Sequence, residues 1–207
     1  MHSVFWKTDE PHGLRFNPLK SCVIPRPIGW ISTVSADGVN NLAPYSYFNT
    51  VSESPWIVMF SGGKRPEGDP KDSVANVEAT GEFVCNMVTE ELVQVMNQSS
   101  APYEKDQDEA AIIEIEMEPS EMVKPLRVKA SPIHLECKFI DKKVLPTTKP
   151  DGGSTICFGE VIGVHIRDEV LNDGVIDVAA IKPVGRLGYL DYAIVDNIVT
   201  VPRPKLG

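Results

Sequence analysis

Residues 25–49 read PRPIGWISTVSADGVNNLAPYSYFN, and the rest of the chain is read outward from them. A turn through Ala36, Asp37 and Gly38 separates a strand predicted over 28–35 from one predicted over 43–52. Between its Pro-fixed points the stretch mixes aromatic and hydroxyl side chains. Trp30, Tyr45, Tyr47 and Phe48 offer apolar faces to a flat heterocycle, and Ser32, Thr33, Ser46 and Asn49 can hydrogen-bond its polar edges or a phosphate. A strand pair with core aromatics explains the same residues, so on physical grounds alone both readings stand.

Strand signals dominate elsewhere. In 133–139, Ile133, Leu135, Cys137 and Phe139 alternate with His134, Glu136 and Lys138, which predicts one core face and one wet face. In 156–166, Ile156, Phe158, Ile162, Val164 and Ile166 alternate with Cys157, Gly159, Val161, Gly163 and His165, interrupted by Glu160. The second of these faces is small, and its glycines point to a bulge or to the close approach of a ligand or another backbone. Further strands fit 56–61 and 81–88. Asp69 and Pro70 read as the N-cap and first residue of a helix running through Val74 and Val77 to Gly81. A second helix begins near Thr89 with Leu92, Val93, Val95 and Met96 as its buried stripe. Strands outnumber helices without alternating with them, so the fold class is mostly β, an antiparallel barrel with peripheral helices.

At 207 residues, without a repeat or a low-complexity linker, the chain reads as one domain spanning 1–207. Net charge is -9, which argues against general nucleic-acid or anionic-membrane binding, since both need a positive surface. A local basic pocket is compatible with that balance. No stretch approaches a membrane span and the N-terminus lacks a secretory layout, so a cytoplasmic protein is expected. Cys22, Cys85, Cys137 and Cys157 are too dispersed for a metal site; the last three lie in apolar runs and read as buried free thiols. Asn97-Gln98-Ser99 matches a glycosylation sequon by chance. The acidic run from Tyr103 to Glu121 reads as solvated surface, and Lys149–Thr155 as a loop.

Signatures of nucleophilic hydrolases, phosphate-binding loops, zinc proteases and dinucleotide folds are absent, and four histidines leave few general bases. That combination suits a protein whose bound cofactor carries the reactivity.

PRPIGWIST, NLAPYSYFNTVSESPWIVMF, KDSVANV and GEFVCN, in this order and spacing, resemble the flavin reductase-like, FMN-binding split-barrel proteins. SPIHLECKF, FGEVIGVHI and RLGYLDY are similar to later segments of that family, so the likeness runs from about Leu19 to Tyr192. It implies a Greek-key split barrel that binds FMN at a homodimer interface. The implied activity is hydride transfer from NAD(P)H to the flavin, which passes electrons onward. A non-enzymatic FMN-binding electron carrier serving a protein partner is the alternative.

By the same resemblance, Ser32, Thr33, Lys71, Asp72 and Ser73 supply the phosphate site, with the helix after Pro70 adding free N–H groups. Ala43, Pro44, Tyr45, Ser46, Tyr47, Phe48 and Asn49 correspond to the ring-binding segment, with Trp30 among the aromatic faces. Arg26 is placed to stabilise charge on the reduced ring or else forms a surface ion pair, and Tyr189 packs near the ring or closes the core. His165, expected on the side of Gly159 and Gly163, resembles a histidine near the nicotinamide in some members and is the catalytic candidate.

Overall fold

β-Branched and aromatic residues form the expected strands, and a computed structural model describes residues 2–105, 107–149 and 152–205. In chain order these are β1 (Gly29–Val34), β2 (Asn40–Tyr45), β3 (Phe48–Glu53), β4 (Trp56–Gly63), β5 (Glu82–Asn86), β6 (Ile133–Val144) and β7 (Ser154–Ile166). They make one antiparallel sheet in the order β2-β1-β5-β6-β7-β4-β3. The strand expected over 43–52 is therefore two strands, broken at Ser46 and Tyr47. Those strands sit at opposite edges of the sheet, so this short link forces the sheet to curl until its edges meet. Ser61 N–H donates to Tyr47 O at 2.8 Å, extending the β3–β4 ladder into this link, and the Tyr45 and Phe60 rings meet at 5.1 Å between centroids.

The curled sheet encloses Ile31, Tyr45, Val58, Phe60, Phe83, Cys85, Cys137 and Cys157. Helix α1 (Asp72–Thr80) drives Val74 and Val77 into the same core. It begins after Lys71, not after Asp69, because Pro70 is held in a bridge with Lys64. Near Thr89 a short 3-10 turn, Glu90–Leu92, leads into α2 (Val93–Gln98); of the expected stripe, Leu92 and Met96 are buried and Val93 and Val95 half-buried.

A second apolar cluster, including Trp30, Leu42, Met96 and Val128, lies on the outer face of β1, β2 and β5. The long excursion between β5 and β6, with α3 (Glu109–Ile112), covers that face. Its cover corrects the wet-face expectation for 133–139, since His134 is 1% and Glu136 0% exposed. Glu136 accepts hydrogen bonds from the N–H groups of Glu121 (2.9 Å) and Met122 (2.6 Å), and Lys124 N–H donates to Glu82 at 2.8 Å. Buried carboxylates thus tether a segment that reads as solvated acid. Asp106, Pro150 and Asp151, within the acidic run and the 149–155 loop, lie outside the described residues.

The small face of β7 explains itself differently from a ligand approach. A Cβ on Gly159 would lie 2.3 Å from the Phe83 ring, so this glycine admits a core aromatic. A register shift between Val161 and Gly163 then turns the strand. Gly163 and His165 come to the outer side, where a Cβ on Gly163 would meet Glu136 and Met122, while Gly159 faces the interior. The expectation that Gly159, Gly163 and His165 share a side fails at this bulge.

Cys85, Cys137 and Cys157 are buried free thiols as expected, and Cys22 is exposed. Burial pushes the Cys157 thiol up to about 12. Among the described residues no helix is long and apolar enough to cross a membrane, and no side-chain group is arranged to hold a metal.

Candidate functional site

The N-terminus of α1 meets β2 at a cavity of about 200 Å³. Ala43, Pro44, Tyr45, Lys71, Asp72 and Ser73, drawn from two distant stretches of sequence, line it together. Lys71 occupies the N-cap position and makes no side-chain capping bond; its carbonyl takes the Val74 N–H at 2.9 Å, and the Asp72 and Ser73 N–H groups are left for another acceptor. Lys64 and Arg65 add positive charge. Arg65 pairs with Asp72 and donates to Tyr103 O at 3.2 Å, yet its buried Nε has no partner among the described residues, and neither does the buried Tyr45 hydroxyl. Burial pushes the Tyr45 phenol above its ordinary range, which keeps it a neutral donor. Orphaned donors, an uncapped helix start and three cations suit an anionic, oxygen-rich group such as a phosphate.

A hydrogen-bonded chain forms the floor. Ser73 Oγ donates to Asn41 Oδ1 at 2.6 Å, Asn41 Nδ2 donates to Glu109 at 2.6 Å, and Leu42 N–H donates to the other Glu109 oxygen at 2.9 Å. Burial pushes the Glu109 carboxyl up, outweighing the hydrogen bond from Leu42 N–H. Thr33 lies behind this layer, 1% exposed, accepting from Asn76 at 3.1 Å.

Pro44 and Ser100 also border a second cavity of about 360 Å³, so the two form one trough along β2. Ser46 and Arg26 face this end. Arg26 is 5% exposed and forms no ion pair among the described residues; it donates to Ser46 Oγ (3.4 Å), Val23 O (2.7 Å), Leu187 O (2.9 Å) and Lys20 O.

Other candidates lie elsewhere. Trp30 is fully buried in the outer cluster, its indole donating to Ser99 Oγ at 2.9 Å, so its faces are taken by core packing. Ser32 is 2% exposed and donates to Leu126 O at 2.6 Å, which removes it from a phosphate site. Phe48 fills the space over Gly29 and borders a separate apolar cavity of about 130 Å³. Tyr47 is exposed, and Asn49 accepts from Thr50 N–H at 2.9 Å. Tyr189 is half-exposed with φ +54°, its ring 5.4 Å from that of Phe16, so it does not close the core.

His165 sits under the excursion, away from the trough, hydrogen-bonded through Nε2 to Glu136. Its neighbour His134 is held neutral, burial pushing its pKa down to about 4, and contacts Val128 O at 2.8 Å. Sequence reasoning missed Asn41, Lys64, Arg65 and Glu109. The two cations were findable, standing a few residues before Lys71; Glu109 was hidden in an acidic run.

Residues 21–189 match the family described as Flavin reductase like domain, and the chain belongs to that family of flavin-binding proteins. An uncharacterized protein of Deinococcus radiodurans is 35% identical over 194 residues, covering 90% of this chain and 83% of its own. Nitrilotriacetate monooxygenase component B from Bacillus cereus has a similar structure, with a TM-score of 0.88, 27% identity and coverage of 97% of this chain and 98% of that one. The 2-nitrobenzoate 2-nitroreductase NbaA of Pseudomonas fluorescens follows with a TM-score of 0.77, 27% identity and coverage of 90% and 88%.

Proposed function

We propose that this chain binds FMN along the β2 trough and works, as a homodimer, as an NAD(P)H-dependent flavin reductase. Lys71 and the backbone N–H groups of Asp72 and Ser73 would hold the phosphate, with Arg65 beside them. Pro44 and Ser46 would border the ring system, and Arg26 presents fixed positive charge at that end. When bound, the flavin supplies the capacity to accept a hydride and release electrons; the chain supplies orientation, exclusion of water and preorganised charge. His165 stays outside this set because Glu136 holds it beneath the excursion.

The observation that carries the reading is the meeting of an uncapped helix start with buried, unpartnered donors of Arg65 and Tyr45 in one cavity. Exposed apolar side chains on β3, β4, β6 and β7, among them Val51, Trp56, Ile140 and Val164, support association with a second copy. Anaerobic FMN-loaded protein is mixed with NADH or NADPH and flavin absorbance followed. Bleaching faster than with free FMN supports the reductase reading; a loaded protein that neither donor reduces rejects it in favour of an electron carrier.

A further inference from the structure

The second half of the trough carries two cations, Lys20 and Arg186, beyond the Pro44, Ser46 and Arg26 contacts proposed for the flavin ring. Its lining contains Lys20, Arg26 and Arg186 and, among the described residues, neither Asp nor Glu, in a chain of net charge -9. The flavin-phosphate cavity differs, since Asp72 and Glu109 offset its cations. Lys20 and Arg186 form no ion pair among the described residues.

These cations are held in place rather than left on a mobile surface. Lys20 belongs to the short helix Leu19–Cys22, and Arg186 ends the short strand Val184–Arg186. Their two segments touch where a Cβ on Gly188 would lie 1.8 Å from Ser21 Oγ, a closeness that only glycine permits. Arg26 staples them, donating to Lys20 O and Val23 O on one segment and to Leu187 O on the other. Arg186 lies over the Tyr192 ring at 4.3 Å and donates to Tyr189 O at 2.5 Å, which fixes the guanidinium and leaves further N–H groups undonated. The Tyr192 hydroxyl is itself anchored to Asn97 at 3.3 Å. Arg26 is thus a positioning residue, and Lys20 and Arg186 are the free cationic pair.

We propose that Lys20 and Arg186 form an anion subsite that takes the diphosphate of the nicotinamide donor, placing the donor's nicotinamide toward the flavin trough at Pro44 and Ser46. This assignment rests on the reductase reading. A donor carrying a diphosphate needs cations close to the flavin but apart from the flavin's own phosphate, and the opposite end of the trough meets both conditions.

The test uses FMN-loaded protein carrying Lys20→Ala or Arg186→Gln, with steady-state kinetics in the preferred donor, FMN titration, and calorimetric titration of inorganic pyrophosphate. The expected result is a donor KM raised about tenfold or more, as for loss of a charge-assisted hydrogen bond to phosphate, and a similar loss of pyrophosphate affinity. kcat and the Kd for FMN should stay within about twofold. Lys20→Ala removes an exposed side chain, so it remains informative if Arg186→Gln disturbs the paired strand that begins at Tyr192. An unchanged donor KM in both variants overturns the subsite and spares the reductase reading. A parallel rise in FMN Kd overturns it by assigning this end to the flavin's own phosphate. Wild-type protein that binds pyrophosphate through Lys20 and Arg186 but is reduced by neither dinucleotide overturns the donor assignment together with the reductase reading.

Discussion

Asn41 and Glu109 are joined by a hydrogen bond of 2.6 Å that ties the acidic excursion to the floor of the cavity at the start of α1. The carboxylate also takes the Leu42 N–H, so Glu109→Ala strands two buried donors. A loss of about 1–3 kcal/mol in unfolding free energy is expected, the usual size for unsatisfied buried groups, measured by denaturant titration. Because burial raises the Glu109 pKa, its contribution to stability is full below the ordinary 4.5 and declines as pH rises through the elevated value. Glu109→Gln should flatten that decline; an unaltered pH profile would remove Glu109 from the account.

On the proposed reading, phosphate recognition by Lys71 at the start of α1 separates FMN from riboflavin. The Lys71→Ala variant should lose FMN affinity by about tenfold, the usual worth of one charge-assisted contact, with riboflavin binding nearly unchanged. Equal losses for both flavins in a fluorescence titration would mean that Lys71 supports the fold instead of reading the phosphate.

Acid should release the excursion through Glu136. Burial alone would raise this carboxyl, but donors from Glu121, His165 and Met122 outweigh it and hold the pKa below the ordinary 4.5. Stability from Glu136 is therefore present above pH 4.5 and lost as pH falls through the lowered value. Glu136→Gln should cost about 1–3 kcal/mol near neutrality and shallow the acid limb of the stability curve. If that limb keeps its slope, the tether lies elsewhere.

The Phe83 ring occupies the space beside Gly159, 2.3 Å from where a Cβ would stand. Gly159→Val should destabilise the barrel by about 1–3 kcal/mol or more through overpacking. A thermal midpoint matching the wild type would show that the ring can shift, and that the glycine is not demanded by the core.

Much of the barrel was legible because alternation is local: β1, β4, β5, β6 and β7 appear within a few residues of their expected bounds. The lining of the candidate cavities was legible where short motifs carry it, as at Ala43–Ser46 and Lys71–Ser73. What escaped depends on contacts far apart in the chain. Glu136 and His134 read as wet because nothing in their own segment reveals that the β5–β6 excursion folds over them, and Glu109 because nothing in the excursion reveals that it docks on β2. His165 was misplaced because one bulge reverses the face of every later residue in its strand. Trp30 and Ser32 are misread for the opposite reason: aromatic and hydroxyl groups suit a heterocycle, but here Ser99 and Leu126 satisfy them inside the protein.

On the proposed reading, the uncapped start of α1 with Lys71 makes this chain a receptor for a phosphorylated flavin. Titrating apoprotein in parallel with FMN and riboflavin, by quenching of flavin fluorescence, tests it most directly. The account predicts FMN binding at least about a hundredfold tighter, the scale of several charge-assisted phosphate contacts; equal affinity for the two flavins would contradict it.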